Sequence, residues 1–275
     1  MRDAGPDLKT MNRPAWTSEI AALLAGIGSV TPLGDQHIAA CAEHGKTLLV
    51  SFETQQGIQA LSPNALPFGW EMVQQQNWSN LCVISYGDTW FRDAAVFDYF
   101  DGLVDDGFFD AFDQVLFYGS GPCGYAAAAF SVVAPGARVL AIQPQATLDP
   151  RVTEWDTRFS EMRRVDFTRR YGYAPDMLDA AAQAFVVYDP RETEDAMHAA
   201  LFTNRNVTKL RVPNMGSALQ SDFLHMGILF NLIAAAGAET PTPAQFATLM
   251  RARRNHLPYL HRVLMRLERA ERPAL

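Results

Sequence analysis

Cysteine is scarce in this chain: Cys41, Cys82 and Cys123 are the three among 275 residues. An odd, widely spaced set makes neither a disulfide framework nor a Cys-x-x-Cys pair, and it fits a reducing compartment. Long apolar runs are missing as well. The longest, over 226–237, is too short and interrupted to span a bilayer, and Met1 leads into a polar, proline-containing start rather than an export signal. The expectation is a soluble cytoplasmic protein with no membrane partner. Positive charge is in deficit, with 23 Lys and Arg against 30 Asp and Glu and a net charge of −7, which argues against general nucleic-acid binding. No zinc-ligand spacing occurs, and Gly119-Ser-Gly121 lacks the third glycine of a dinucleotide loop, so neither metal nor cofactor is expected.

What is present is apolar content of 48%, enough for one sizeable α/β domain over 14–275. Residues 1–13 are polar and aperiodic and read as a mobile arm. Continuous apolar runs at Thr47–Glu53, Asn80–Tyr86, Asp113–Gly119, Ala137–Gln143, Gln183–Asp189 and Thr208–Pro213 read as buried parallel strands. Helical patterns lie between them. Thr89–Val104 carries Trp90, Phe91, Val96, Phe97, Phe100 and Leu103 on one face, and Cys123–Val133 is a small-residue helix. This alternation predicts a doubly wound, mostly parallel sheet whose ligands sit at the carboxyl ends of the strands.

Two segments interrupt the rhythm. Residues 149–179 hold Trp155, Arg158, Arg163, Arg164, Arg169, Arg170, Tyr171 and Tyr173, which suit either a lid or an Arg- and Tyr-rich packing insertion. The C-terminal segment 218–275 predicts helices over Ala218–Ala236, Pro243–Arg253 and Pro258–Ala270. From Arg251 onward there are seven arginines against Glu268 and Glu271, a local balance of +5 that leaves −12 elsewhere. This is either a solvated helical face or a docking surface for an acidic partner, including the acidic body of a second copy in a homo-oligomer.

The most informative stretch is Val115-Leu-Phe-Tyr-Gly-Ser-Gly-Pro-Cys-Gly-Tyr-Ala-Ala-Ala-Ala-Phe130, a buried strand entering a glycine-dense turn and then a helix. It resembles the nucleophile elbow of α/β-hydrolases in its Gly-x-Ser-Met-Gly-Gly-Tyr-Ala-Ala form. In the register fixed by Gly119, Gly124, Tyr125 and Ala126, the nucleophile position is Gly121, preceded by Ser120, and Cys123 replaces the second elbow glycine. The family order of nucleophile, acid and histidine then puts the acid at Asp189, in Phe185-Val-Val-Tyr-Asp-Pro190. It puts the histidine at Ser217, in Val212-Pro-Asn-Met-Gly-Ser217. Gly121 cannot attack a carbonyl, and a serine at the base position takes no proton at neutral pH. No histidine lies between Phe202 and Leu224, so a shifted register does not restore one. Asp189 equally suits a strand-end carboxylate that caps the next turn.

The stretches Cys123-Gly-Tyr-Ala-Ala-Ala-Ala-Phe-Ser131, Pro135-Gly-Ala137, Gln143-Pro-Gln-Ala-Thr-Leu-Asp-Pro150, Arg170-Tyr-Gly-Tyr-Ala-Pro-Asp176 and Asp195-Ala-Met-His-Ala-Ala-Leu-Phe202 are similar to an alphaproteobacterial family. The resemblance covers about residues 45–275. Members are often labelled phosphoadenosine phosphosulfate reductase, which by label alone implies that activity. Such a reductase needs a Ser-Gly-Gly-Lys-Asp-Ser type phosphate loop and a nucleophilic cysteine near its C-terminus. This chain has neither, and its last cysteine is Cys123.

Two functions stay open at this level. One is a noncatalytic, hydrolase-like protein that binds a small molecule or a protein partner, with Ser120, Glu53 and Gln143, alongside Asp88 and Gln145, as candidate pocket residues; the same side chains also suit caps and turns. The other is an ester- or thioester-directed hydrolase or acyltransferase that uses Cys123 and Asp189 as catalytic residues. In that case the helix N-terminus lowers the Cys123 pKa and His198 is the candidate base. Otherwise Cys123 is a buried, inert thiol. His225, on an apolar helix, reads as a core histidine.

Overall fold

A computed structural model describes residues 7–238 and 242–270. Eight strands form one sheet: β1 (Gly28–Leu33), β2 (His37–Ala42), β3 (Thr47–Thr54), β4 (Ser79–Ser85), β5 (Gln114–Ser120), β6 (Arg138–Ile142), β7 (Gln183–Tyr188) and β8 (Val207–Arg211). Their spatial order is β1-β2-β4-β3-β5-β6-β7-β8. β2 runs antiparallel to both neighbours, and β3 through β8 are parallel. All six strands read from the sequence are present, with ends moved by one or two residues.

Twelve α-helices among the described residues surround the sheet: α1 (Arg13–Leu24), α2 (Gln55–Leu61), α3 (Gly69–Gln76), α4 (Ala94–Asp105), α5 (Pro122–Phe130), α6 (Pro150–Thr153), α7 (Ala174–Met177), α8 (Thr193–Leu201), α9 (Leu219–His225), α10 (Leu229–Ala238), α11 (Pro243–Leu249) and α12 (Leu257–Arg269). On one face, α4, α5 and the 149–179 segment pack Phe52, Phe100, Phe117, Phe130 and Tyr171 into a cluster. On the other, α9 and α10 cover Leu116, Tyr118, Leu140 and Phe185. Each fully buried phenylalanine contributes about 1.5–3 kcal/mol by leaving water. Burial on both faces explains why β3 to β7 are apolar rather than alternating; the run at Thr208–Pro213, expected to be buried, is instead the edge strand β8, in which Leu210 alone is buried. No single described helix is long and apolar enough to cross a membrane.

Several expected boundaries shift for local reasons. The helix read from Thr89 starts at Ala94, because the Asp93 carboxylate accepts the Ala95 N–H at 2.8 Å and caps it there. Trp90 and Phe91 precede it with φ of 55° and 56°. The helix read over Ala218–Ala236 is two helices, α9 and α10, bent 102° apart at a three-residue break. Within the expected arm, Leu8–Thr10 form a turn, and the Gln59 amide donates to the Leu8 and Met11 carbonyls. Residues 1–6 of that arm lie outside the described residues, as do 271–275 of the basic C-terminal stretch.

Candidate functional site

The turn from β5 to α5 is built by two glycines for different reasons. At Gly119 an added Cβ would lie 2.0 Å from the Cys123 carbonyl oxygen, so the strand and the first helical turn can close on each other there only if the residue is glycine. At Gly121 the backbone is at φ 58°, ψ −126°, a conformation that strains any residue with a Cβ. Its N–H donates to the Ile142 carbonyl at 2.8 Å, and a Cβ there would meet nothing within 4 Å. Residue 121 therefore has the backbone of an elbow, and open space where a nucleophile would project.

Pro122 follows. In a nucleophile elbow the N–H after the nucleophile is one of the two oxyanion donors, and proline has none. The sequence carried this signal, since Pro122 is the residue after the nucleophile position, but it is legible only once the register of the turn is fixed.

The acid position, Asp189, lies just past the end of β7 and is 1% exposed. Oδ1 accepts the Arg191 N–H at 2.9 Å, and Oδ2 accepts the Gly216 N–H at 2.7 Å. Asp189 thus caps its own turn and grips the loop of the histidine position by its backbone. Ser217 is exposed. Arg262 of α12 lies against Gly216 and reaches Asp222 Oδ2 at 3.2 Å, while Arg266 donates to Asn214 Oδ1 at 3.3 Å. At least two of the C-terminal arginines are therefore spent within the chain, leaving Leu257, Leu260, Leu264 and Met265 of α12 exposed.

A cavity of about 450 Å³ opens at the carboxyl edge of the sheet. Glu53 and Thr54 from the end of β3, Ser120 from β5 and Cys123 from α5 line it. Ile58, Leu61, Leu66, Phe68 and Trp70 from α2, α3 and their connection form its apolar wall, and Gln220 and Leu224 of α9 complete it. Ser120 and Glu53 thus line one cavity. Gln143 does not: its amide donates to Asp195 Oδ2 at 2.6 Å and accepts the Leu219 N–H at 3.0 Å, so both ends are used in tying β6 to α8 and α9. Gln145 likewise turns back to the Gln143 carbonyl.

Glu53 is buried. Its carboxylate accepts the Phe68 N–H at 3.1 and 3.2 Å, with Cys82 Sγ at 3.3 Å and Ser51 Oγ at 3.4 Å. Burial pushes its pKa up, against those hydrogen bonds. Cys123 behaves opposite to the expected activated thiol. Burial first, then the Glu53 and Asp88 charges, push its pKa well above the ordinary thiol value. No histidine lines the cavity among the described residues. His198 is committed elsewhere: Nδ1 accepts the Ala146 N–H at 3.1 Å, and Nε2 meets Asp156 Oδ2 at 2.9 Å.

That pair belongs to a buried network. Arg158 forks onto Asp156 and also reaches Asp195 Oδ1 at 2.7 Å. Burial alone would raise Asp156, but the hydrogen bonds from His198 and Arg158 hold its carboxyl well below the usual carboxylate range. Together with Tyr125, whose hydroxyl donates to the Tyr171 carbonyl at 2.5 Å, these contacts lock 149–179 against α5 and α8. No residue of that segment lines the cavity, whose wall is drawn largely from 52–75 instead.

Strand order, the antiparallel β2 and the elbow between β5 and α5 define an α/β-hydrolase-like fold. No protein-family model and no curated protein matches the chain. Among solved structures it is similar to the capsule O-acetyltransferase of Neisseria meningitidis serogroup A, at 11% identity over 82% of this chain and 97% of that one, with a TM-score of 0.48. It is also similar to Est1E from Butyrivibrio proteoclasticus, at 14% identity over 74% and 98% with a TM-score of 0.45. A third is an esterase of Pyrobaculum calidifontis, at 15% identity over 89% and 93% with a TM-score of 0.44.

Proposed function

We propose that this chain is a noncatalytic α/β-hydrolase-like protein that binds a small molecule in the cavity beneath its elbow. The observation that carries this reading is the pair Gly121–Pro122. One residue removes the nucleophile and the next removes an oxyanion donor, so both the attacking atom and a stabiliser of the tetrahedral intermediate are gone from one turn. Ser217 at the histidine position and the raised Cys123 thiol support the same reading. The cavity nonetheless persists, with an apolar wall and a few polar groups at the edge of the sheet where folds of this class bind ligands. Its volume falls within the about 300–1,000 Å³ typical of small-molecule sites.

The test is native mass spectrometry of the protein purified from its own host, compared with Ser120→Phe, which fills the cavity floor. A copurifying small molecule that is lost in Ser120→Phe supports the reading. A ligand retained in the variant, or release of an acylated Cys123 peptide, overturns it.

A further inference from the structure

We infer that the cavity takes an organic monocation, an ammonium group carried on an apolar body. This rests on the cavity being a retained ligand site and names the chemistry of its ligand. The first observation is charge: Glu53, Glu71 and Asp88 line the cavity, and no Lys, Arg or His side chain does among the described residues. An anionic ligand such as a carboxylate or phosphate would meet only like charge there.

The second observation is Glu53 itself. It is more than nine-tenths buried, yet no cationic side chain pairs with it among the described residues. A buried carboxylate without a counter-charge is costly, and a cation placed beside it would favour the charged form that burial otherwise disfavours. The Glu53 carboxyl caps the start of α3 through the Phe68 N–H, shared between the two oxygens, and the neighbouring Gly69 N–H.

The third observation is aromatic. Phe68 and Trp70 line the same cavity, and aromatic faces beside carboxylates are the usual surroundings of a bound alkylammonium. Trp70 is itself nine-tenths buried, and its indole N–H has no hydrogen-bond partner. An oxygen acceptor on the ligand would satisfy it.

The experiment compares octyltrimethylammonium, octanoate and octanol by isothermal titration calorimetry on the full chain. The ammonium is expected to bind about tenfold tighter than octanol, with octanoate weakest, as the screened attraction of nearby carboxylates implies. Glu53→Gln should cut that preference severalfold. Because Glu53 is buried, the rim double variant Glu71→Gln with Asp88→Asn is measured as well and should reduce it in the same direction. Trp70→Phe should keep the ammonium preference and Trp70→Leu should lose it. Octanol or octanoate binding as tightly as the ammonium overturns the charge inference and leaves the pocket reading standing. If none of the three binds, and Ser120→Phe behaves like the parent, the pocket reading itself fails.

Discussion

Asp189 Oδ2 accepts the Gly216 N–H at 2.7 Å, one residue before Ser217. In a working triad an acid at this point would orient an imidazole; here it holds backbone instead. The carboxylate has a structural task, since the buried Gly216 N–H and the part-buried Arg191 N–H both depend on it.

Asp189→Ala should therefore destabilise the fold without altering any turnover. Leaving the Gly216 and Arg191 N–H groups unpaired costs about 1–3 kcal/mol for each that water cannot reach. Hydrogen exchange resolved at Gly216 and Arg191 should show loss of protection in this variant, with β5 and β6 unchanged.

Gly121→Ser is expected to cost about 1–3 kcal/mol, the strain of a residue with a Cβ at this φ and ψ. The cost is conformational rather than steric, because the new Cβ meets open space. Gly121→Ser with Ser217→His should remain inactive toward esters, since Pro122 still offers no oxyanion donor. Adding Pro122→Ala is the step after which esterase activity should first become measurable. Chemical denaturation and an ester assay on the three variants check both points.

Asp156 carries a pH-dependent share of stability. Its folded pKa lies below its unfolded value of about 3.9, so the contribution is complete above about pH 4 and is lost as the pH falls further. Asp156→Ala leaves His198 Nε2 without its partner and Arg158 held by Asp195 alone, and should cost about 1–3 kcal/mol at pH 7. Urea denaturation from pH 7 down to pH 3 should give a shallower acid slope for the variant than for the parent.

Much of this architecture is legible in the sequence, and the parts that are not share physical causes. Strands β3 to β7 declare themselves because both faces are buried and their central residues are apolar, whereas β8, Val207-Thr-Lys-Leu-Arg211, is an edge strand in which Leu210 alone is buried. β1 and β2 do not: Gly28-Ser-Val-Thr-Pro-Leu33 is an exposed edge interrupted by Pro32, and His37-Ile-Ala-Ala-Cys-Ala42 is rich in alanine, a poor strand former. The elbow register is readable because Gly119, Gly121 and Gly124 are separately demanded by backbone geometry and close packing. The cavity wall from α2 and α3 is not, because Ile58, Leu66, Phe68 and Trp70 converge only through the turn at 62–68. Gln143 misleads because a strand-end amide suits a ligand as well as a partner 52 residues away, and only the structure supplies Asp195.

Cys123 should be slow to alkylate in the folded protein. With its thiol pushed far above the ordinary value, iodoacetamide at pH 8 should modify it more than about tenfold slower than a free cysteine, and denaturant should abolish the difference. Peptide-resolved mass spectrometry separates Cys123 from Cys41 and Cys82, which are buried too.

The most direct measurement is steady-state turnover of short-chain p-nitrophenyl esters and acyl thioesters by the parent chain beside Cys123→Ser. Loss of the nucleophile and of an oxyanion donor in one turn predicts no saturable hydrolysis and no difference between the two proteins. Saturable turnover by the parent, abolished in Cys123→Ser or in Ser120→Phe, would contradict it.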